Sequence, residues 1–326
     1  MKPFFRLIRI KNLLIIAATQ YLMRYAILNP ILKSIDISHG NDIVNMTELS
    51  MQMSGFQFLC LVFATCFITA AGYVINDYFD TKTDLINRPS SVVVGKTLSR
   101  RMVMVIHIVL NTIGIGFGFF VSFSIGKPLF GFVFVFVTGL LWFYSTTYKR
   151  QFLIGNLLVA FLTGMVPFMV AAFEIPPLLK EYASVLVNYK ISLFPIVLWI
   201  GGFSFFAFFL TLIRELIKDM EDFKGDKAFG RKSVPVVLGL KGAKLMVLTL
   251  ISVTLLALLS VGFLYLKTGI SLVYISLVII LPMLILAIKL IRTENSRGFH
   301  NLSNFTKIIM LAGVGYAGIA WYIFMH

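Results

Sequence analysis

The sequence predicts an all-α, polytopic membrane protein with nine transmembrane helices, and three observations carry that prediction. Apolar residues make up 59% of the chain and charged residues only 13%, against about 25% charged in an ordinary soluble domain. Apolar runs of roughly 20 residues recur along nearly the whole length, and such a run in helical form crosses a hydrocarbon core of about 30 Å. Basic residues, finally, divide very unevenly between the two sides that these runs define. Helices suit the setting because each satisfies its backbone polar groups within its own segment.

The first run, residues 13–32, follows the basic stretch MKPFFRLIRIKN. Basic-then-apolar is also the pattern of a secretion signal. No small-residue cleavage site follows, however, and Arg24 interrupts the run, so a retained first helix is expected. Runs 56–76 and 102–125 flank a charged connection, and runs 129–148 and 152–173 are separated by Lys149-Arg150. Run 191–213 leads into residues 214–241, the most charged segment of the chain. Runs 243–266, 270–291 and 305–324 complete the set. No stretch is left for a soluble domain, so residues 1–326 are read as a single transmembrane domain. The polar loop 34–54, nearly uncharged, suggests no function. Cys60 and Cys66 lie six residues apart in one helix and point in different directions, so no bridge between them is expected.

The net charge is +15, from 29 Lys and Arg against 14 Asp and Glu. With the N-terminus placed in the cytoplasm, cytoplasmic segments carry 23 basic residues and the opposite side 5. A positive-inside bias of this size accounts for the basic balance without nucleic acid. It predicts a multi-pass protein, of a cell inner membrane, with a cytoplasmic N-terminus. No protein partner is evident.

Acidic residues are scarce, and half of them fall in two short windows. NDYFDTKTD contributes Asp77, Asp80 and Asp84, and DMEDFKGD contributes Asp219, Glu221, Asp222 and Asp226. In both, aspartates recur at i, i+3 and i+7, which on a helix confines them to a stripe of about 60°. Each window sits at the cytoplasmic end of an apolar run, and the first aspartates are 142 residues apart. The chain therefore reads as two pseudo-repeated halves, with motifs at 76–84 and 219–226. Two like charges 4 Å apart repel by about 4 kcal/mol at an effective dielectric near 20. Facing aspartate stripes thus call for cations, and oxygen-rich carboxylate sets suit Mg²⁺. Basic neighbours (Lys82, Arg88 and Lys96; Lys218, Lys224, Lys227, Arg231 and Lys232) complete the chemistry of a metal-bridged phosphate site.

These residues carry a family likeness. Asn76-Asp77-x-x-Asp80-x-x-x-Asp84, then Asn87-Arg88-Pro89, with Asp219-x-x-Asp222-x-x-x-Asp226 later, resembles the UbiA superfamily of intramembrane prenyltransferases. The resemblance implies nine helices around a central cavity, and two Mg²⁺ ions bound together with a prenyl diphosphate. It makes Asn76, Asp80 and Asp84 first-motif ligands, with Asp219, Asp222 and Asp226 serving from across the cavity. The stripe adds Asp77 to the metal set. Asn76, Arg88, Lys96, Lys149, Lys227 and Arg231 are the expected diphosphate contacts. Lys96 enters as a substitute, because Ser90-Ser91 stand where many relatives have a second Arg-Pro. Tyr144 or Tyr148 fits the family's tyrosine after the fourth helix. Asn12 and Asn156 are further substrate-supporting positions.

RELIKDMEDFKGDKAFGRKSVP looks most like the branch that prenylates geranylgeranylglyceryl phosphate, which implies ether-lipid synthesis. Aromatic prenyltransferases of the menaquinone or ubiquinone type share the metal motifs and form the alternative. The implied reaction breaks an allylic C1–O bond, with Mg²⁺ and cations stabilising the departing diphosphate. Aromatic faces such as Phe79, Phe143, Tyr144 and Phe205 to Phe209 could attend the allylic cation, although with 32 phenylalanines in the chain ordinary packing or lipid contact is the better reading of any single one. The non-enzyme rival is a membrane transporter. Transporter sites tend towards the midplane, whereas these acids sit at span ends and Arg24 is the single deep charge. The scattered histidines (His39, His107, His300, His326) form no ligand-spaced cluster and are read as structural.

Overall fold

The structure is a computed structural model, which describes residues 2–35, 49–87, 89, 92–266 and 268–326. Arg88 and most of the 34–54 loop lie outside the described residues. After α1 (Lys2–Leu7) the chain turns at Arg9 and enters α2 (Ile10–Leu22). A π-helical turn, Met23–Leu28, carries α2 directly into α3 (Asn29–Ser34). There follow α4 (Gly55–Asn87), α5 (Arg100–Ser124), α6 (Gly131–Thr146), α7 (Ile154–Glu181) and α8 (Ala183–Asn188). The second half comprises α9 (Phe194–Glu221), α10 (Phe223–Ala228), α11 (Val234–Leu264), α12 (Gly269–Tyr274), α13 (Leu281–Arg292) and α14 (Ser296–Met325).

Among the described residues, eight helical segments are long and apolar enough to cross a membrane. They correspond to the second through ninth apolar runs. The first run forms the three-piece rod α2–α3, in which the π turn widens the helix around Arg24. The ends of α4 and α5 are fixed by side chains. At α4, Ser54 Oγ accepts from the Gln57 amide while Gln57 Oε1 accepts from the Ser54 amide, a reciprocal capping box. Ser99 Oγ accepts from the Met102 amide at the start of α5.

Several helices outrun the apolar segments that announced them. Helix α4 continues from residue 76 to Asn87, and α9 from 213 to Glu221. At 33 residues α4 is about 50 Å long, well beyond a hydrocarbon core of about 30 Å. Its acidic window is thus a helical overhang. So is the start of the second window; the remainder departs from a single helix. Helix α9 ends at Asp222 (φ −88°, ψ 5°), and Asp226 belongs to the separate α10. The expected stripe of three aspartates on one helix therefore holds for 77–84 and fails for 219–226. The chain breaks at Asp222, where α10 turns to pack against α4, α9 and α11.

The helices close a ring. Helix α4 packs on α5, α6 and α2; α7 on α9; α9 on α11 and α14; and α14 returns to α2 through α3 and the π turn. Helices α7 and α9 meet backbone to backbone: a Cβ on Gly164 would lie 2.9 Å from the Ser204 carbonyl oxygen. Small residues allow the close approach on which helix association in lipid depends. Large apolar side chains such as Phe132, Leu256, Phe263 and Ile308 are exposed on the outer faces, as contact with lipid requires. Inside the ring lies a cavity of about 1010 Å³, walled by apolar residues including Val133, Val166, Phe206, Leu258 and Met283.

Arg24, the deep charge, is paired. Its Nη1 lies 3.7 Å from Glu174 Oε2, it donates to the Met53 carbonyl, and its guanidinium sits 4.5 Å over the Phe58 ring. Glu174 Oε1 in turn accepts from the Met53 amide at 2.9 Å.

Candidate active site

At the end of the cavity where α4 and α9 overhang, polar side chains replace apolar ones. Asn12, Asn76, Tyr144 and Lys149 line the cavity mouth. Next to it is a small polar hollow of about 40 Å³, lined by Asp84, Asp219, Asp222 and Asp226, with Tyr144, Lys149, Asn156 and Arg231. Asp84 comes from α4 and the other three acids from the α9–α10 break, so both aspartate windows contribute to one hollow.

Cations stitch the two halves together. Lys149 donates to Asn76 Oδ1 at 2.9 Å and to Asp80 Oδ2. Arg231 Nη2 donates to Asp80 Oδ1 at 2.7 Å and to Thr83 Oγ1 at 2.9 Å, while its Nη1 lies 3.5 Å from Asp226 Oδ1. Burial works against the Lys149 ammonium, but Asp80 and Tyr144 more than offset it and hold its pKa above the usual lysine value. Arg231 is likewise kept charged, with Asp80 outweighing burial. Burial pushes the Asp226 carboxyl above the ordinary carboxylate range although Arg231 stands beside it. Asp226 Oδ1 has no hydrogen-bond partner.

Lys149 owes its place to a glycine. It sits in a turn of 3-10 helix, Tyr148–Arg150, between α6 and α7. A Cβ on Gly155 would lie 2.9 Å from the Lys149 Cα and 3.1 Å from the Tyr148 carbonyl oxygen. Only a residue without a side chain lets the start of α7 press against that turn. One position later, Asn156 Nδ2 donates to Asp219 Oδ2 at 2.9 Å and orients that carboxylate.

The other expected residues take varied places. Asp77 turns away from the hollow and accepts from Arg9 Nη2 at 2.8 Å. Tyr144 lines both spaces and has the Lys149 ammonium 5.9 Å from its ring centre, whereas Tyr148 packs against Phe143. Of the two tyrosines, Tyr144 is the one that lines the cavity and the hollow. Asn12 accepts from Lys307 at 2.7 Å on the cavity wall. Lys96 lies in an exposed turn and donates to the Pro89 carbonyl, and Lys227 is exposed; neither lines the cavity or the hollow. The cations that line the hollow are Lys149, Lys218 and Arg231.

Sequence reasoning passed over Glu215, which lines both spaces and pairs with Arg214 at 2.6 Å and Lys218 at 3.6 Å. It also passed over Arg9, whose guanidinium stacks 4.7 Å from the Tyr73 ring centre. The apolar run ends at 213 and so leaves Glu215 outside the helix, whereas the i, i+4 spacing from Glu215 to Asp219 points to it. Among the described residues no three Asp, Glu, His or Cys side chains form a ready-made metal cage. The acids are instead interleaved with cations, and the hollow offers hard oxygen donors.

Comparison with known proteins agrees with this architecture. Digeranylgeranylglyceryl phosphate synthase of Thermococcus sibiricus is 32% identical over 225 residues, covering 68% of this chain and 69% of that protein. A structure from work on digeranylgeranylglyceryl phosphate synthase in membranes superposes with TM-score 0.62 at 21% identity, over 98% of both chains. A UbiA homologue from Archaeoglobus fulgidus bound to DMAPP and Mg²⁺ shares the fold with TM-score 0.55 at 18% identity, over 98% of this chain and 99% of its own. Residues 49–308 match the description of the UbiA prenyltransferase family. With most of its length inside that match and eight segments able to span a membrane, the chain belongs to the UbiA prenyltransferase family and is a multi-pass integral membrane transferase.

Proposed function

We propose that the protein transfers a prenyl group from a prenyl diphosphate, with Mg²⁺ bound alongside it, to geranylgeranylglyceryl phosphate, forming an ether lipid. The observation that carries this is the polar hollow at the mouth of the apolar cavity, to which both aspartate windows contribute. A prenyl tail gains about 0.8 kcal/mol per CH₂-sized unit on leaving water, so the tail belongs in the cavity and the diphosphate at the hollow. The relatives named as digeranylgeranylglyceryl phosphate synthases support the acceptor. We place α2–α3 as a ninth span, which puts the N-terminus and the site on one side, and the basic bias makes that side cytoplasmic, in one transmembrane domain of two pseudo-repeated halves.

The residues fit a divalent ion. Asp84, Asp219, Asp222 and Asp226 offer oxygens at one hollow, and Asp226 Oδ1 is buried with no hydrogen-bond partner. Mg²⁺ is usually held by one or two carboxylates together with substrate phosphates, which suits a site with no preformed cage. When bound, the ion supplies positive charge against the diphosphate oxygens. Lys149 and Arg231 add charge that grows in effect as the C1–O bond breaks and its electron pair leaves with the diphosphate. Asp80 holds both cations in place, and Asn156 aims Asp219. Tyr144 sits between hollow and cavity, where an aromatic face attends the allylic cation. The acceptor hydroxyl oxygen then bonds to C1, and its proton passes to the diphosphate. The apolar wall keeps out water, which would otherwise capture the cation.

Purified protein with Mg²⁺ and geranylgeranyl diphosphate tests this against geranylgeranylglyceryl phosphate, 1,4-dihydroxy-2-naphthoate and 4-hydroxybenzoate. Transfer to the glyceryl phosphate is the expected result. Transfer to an aromatic acceptor in its place overturns the ether-lipid assignment.

A further inference from the structure

A second charged group faces the cavity mouth and shares Glu215 and Lys218 with the aspartate hollow. Lys307 of α14 donates to Asn12 Oδ1 at 2.7 Å, and Asn12 reaches the Tyr73 hydroxyl at 3.4 Å. Arg9 lies over that same Tyr73 ring. From α9 come Arg214 and Lys218, both paired with Glu215. All of these side chains line the large cavity. Lys307 is within electrostatic reach of both Arg214 and Arg9.

The charges do not cancel. Arg9, Arg214, Lys218 and Lys307 face Asp77 and Glu215, which leaves two positive charges over. Among the described residues no carboxylate stands within ion-pair distance of Lys307, which donates to the neutral Asn12. Arg214 Nε is buried without a hydrogen-bond partner. Like charges gathered on a half-buried wall repel, and an unpaired buried donor carries a desolvation cost. A dianion relieves both. A phosphate monoester carries about −1.5 to −2 near neutral pH and offers three strong acceptor oxygens.

We infer that Lys307 and Arg214, with Arg9 beside them, form a second anion site that binds the phosphate monoester of the acceptor lipid. This rests on the acceptor reading above and deepens it, because it separates the two phosphate-bearing substrates between two charged groups. The donor diphosphate takes the aspartate hollow with Lys149 and Arg231. The acceptor phosphate takes the α2–α9–α14 corner, and its hydroxyl faces C1 from the cavity side. An aromatic acceptor carrying no more than one carboxylate charge would leave part of the cation excess unanswered.

The experiment is a binding measurement on the full-length protein with its donor side filled by Mg²⁺ and geranylgeranyl thiodiphosphate. The probes are a monoalkylglycerol phosphate with a C20 chain and the same alkylglycerol without phosphate. The phosphate probe should bind wild type at least 10-fold tighter than its phosphate-free counterpart, in keeping with charge-assisted hydrogen bonds. Lys307→Gln and Arg214→Gln should each erase most of that preference, and Lys307→Arg should keep it. Affinity for the thiodiphosphate should stay within about twofold in all three, which also reports that they fold. Equal affinity of wild type for the two probes overturns the inference, whatever acceptor is turned over. So does a preserved preference in Lys307→Gln and Arg214→Gln. Turnover of an aromatic acceptor in place of a glyceryl phosphate defeats the acceptor reading separately.

Discussion

Arg231 and Asp80, 151 residues apart in the chain, meet at 2.7 Å at the cavity mouth. Asp80 is buried on α4 and accepts from Lys149 on its other oxygen, so one carboxylate orders a cation from the loop before α7 and a second from the loop after α10. The arrangement aims two positive charges at the space where a diphosphate would sit. Losing one of them should weaken transfer. Arg231→Gln removes a charged hydrogen bond, commonly worth about 1.5–3 kcal/mol, which corresponds to a drop of roughly 10- to 150-fold in kcat/KM. Arg231→Lys keeps charge without the two-pronged fork that reaches both Asp80 and Asp226, and should fall between. Steady-state kinetics over a range of prenyl diphosphate concentrations decides the matter; a wild-type kcat/KM for Arg231→Gln would remove the residue from the site.

Gly155→Ala should act on Lys149 without touching it. The added methyl group would meet the Lys149 Cα at 2.9 Å, and backbone cannot swing aside as a side-chain tip can. The turn Tyr148–Arg150 would have to shift, carrying the ammonium away from Asn76 and Asp80. A rise in KM for the prenyl diphosphate of about 10-fold, as expected for misplacing a substrate-positioning group, with little change in thermal unfolding, is the predicted signature. An unchanged KM would mean that the turn yields without moving Lys149.

The fold class was legible because membrane spans announce themselves by length and polarity alone, as the 56–76 and 191–213 runs did for α4 and α9. Hydropathy could not show where those helices stop, since charge ends an apolar run without ending a helix. That is why Glu215, beyond the end of its apolar run, emerges on the last turns of α9. The aspartate windows were legible from spacing. Their geometry was not, because the break at Asp222 depends on how α10 docks against α4 and α9. Arg231 could be named from its neighbourhood, but its grip on Asp80 joins residues from opposite halves and is visible only in three dimensions. Lys96 shows the same limit: its charge is legible in the sequence, and the turn directs it to the Pro89 carbonyl.

Removing the metal, or one carboxylate that would hold it, should stop transfer. The prediction is that EDTA abolishes product formation, that excess Mg²⁺ restores it, and that Asp219→Asn stays inactive at every Mg²⁺ concentration. Asn keeps the shape and the hydrogen-bonding reach towards Asn156 while deleting the charge that a divalent ion needs. Single-turnover assays with radiolabelled donor give the readout, with thermal unfolding as the folding control. Full activity in EDTA, or in Asp219→Asn, would contradict the assignment.

The last prediction concerns stability at the other end of the bundle. Arg24 and Glu174 are both buried, at 2% and 1% exposure, and Glu174 lies 18 residues beyond Asn156 on α7, about 27 Å along the helix axis. Breaking a buried pair by removing one partner leaves an uncompensated charge and typically costs about 3–5 kcal/mol. Here the cost falls on the packing of the π turn against α7 and on the Gln52–Met53 backbone that Glu174 holds. Arg24→Met should therefore lower the thermal midpoint in detergent markedly, and so should Glu174→Leu. The double variant should recover most of the loss, because apolar side chains of similar volume often replace a buried pair at little cost. Transfer activity at a temperature where all variants are folded should be close to wild type, given the distance from the hollow. Losses that simply add in the double variant would show that the two residues stabilise the bundle independently.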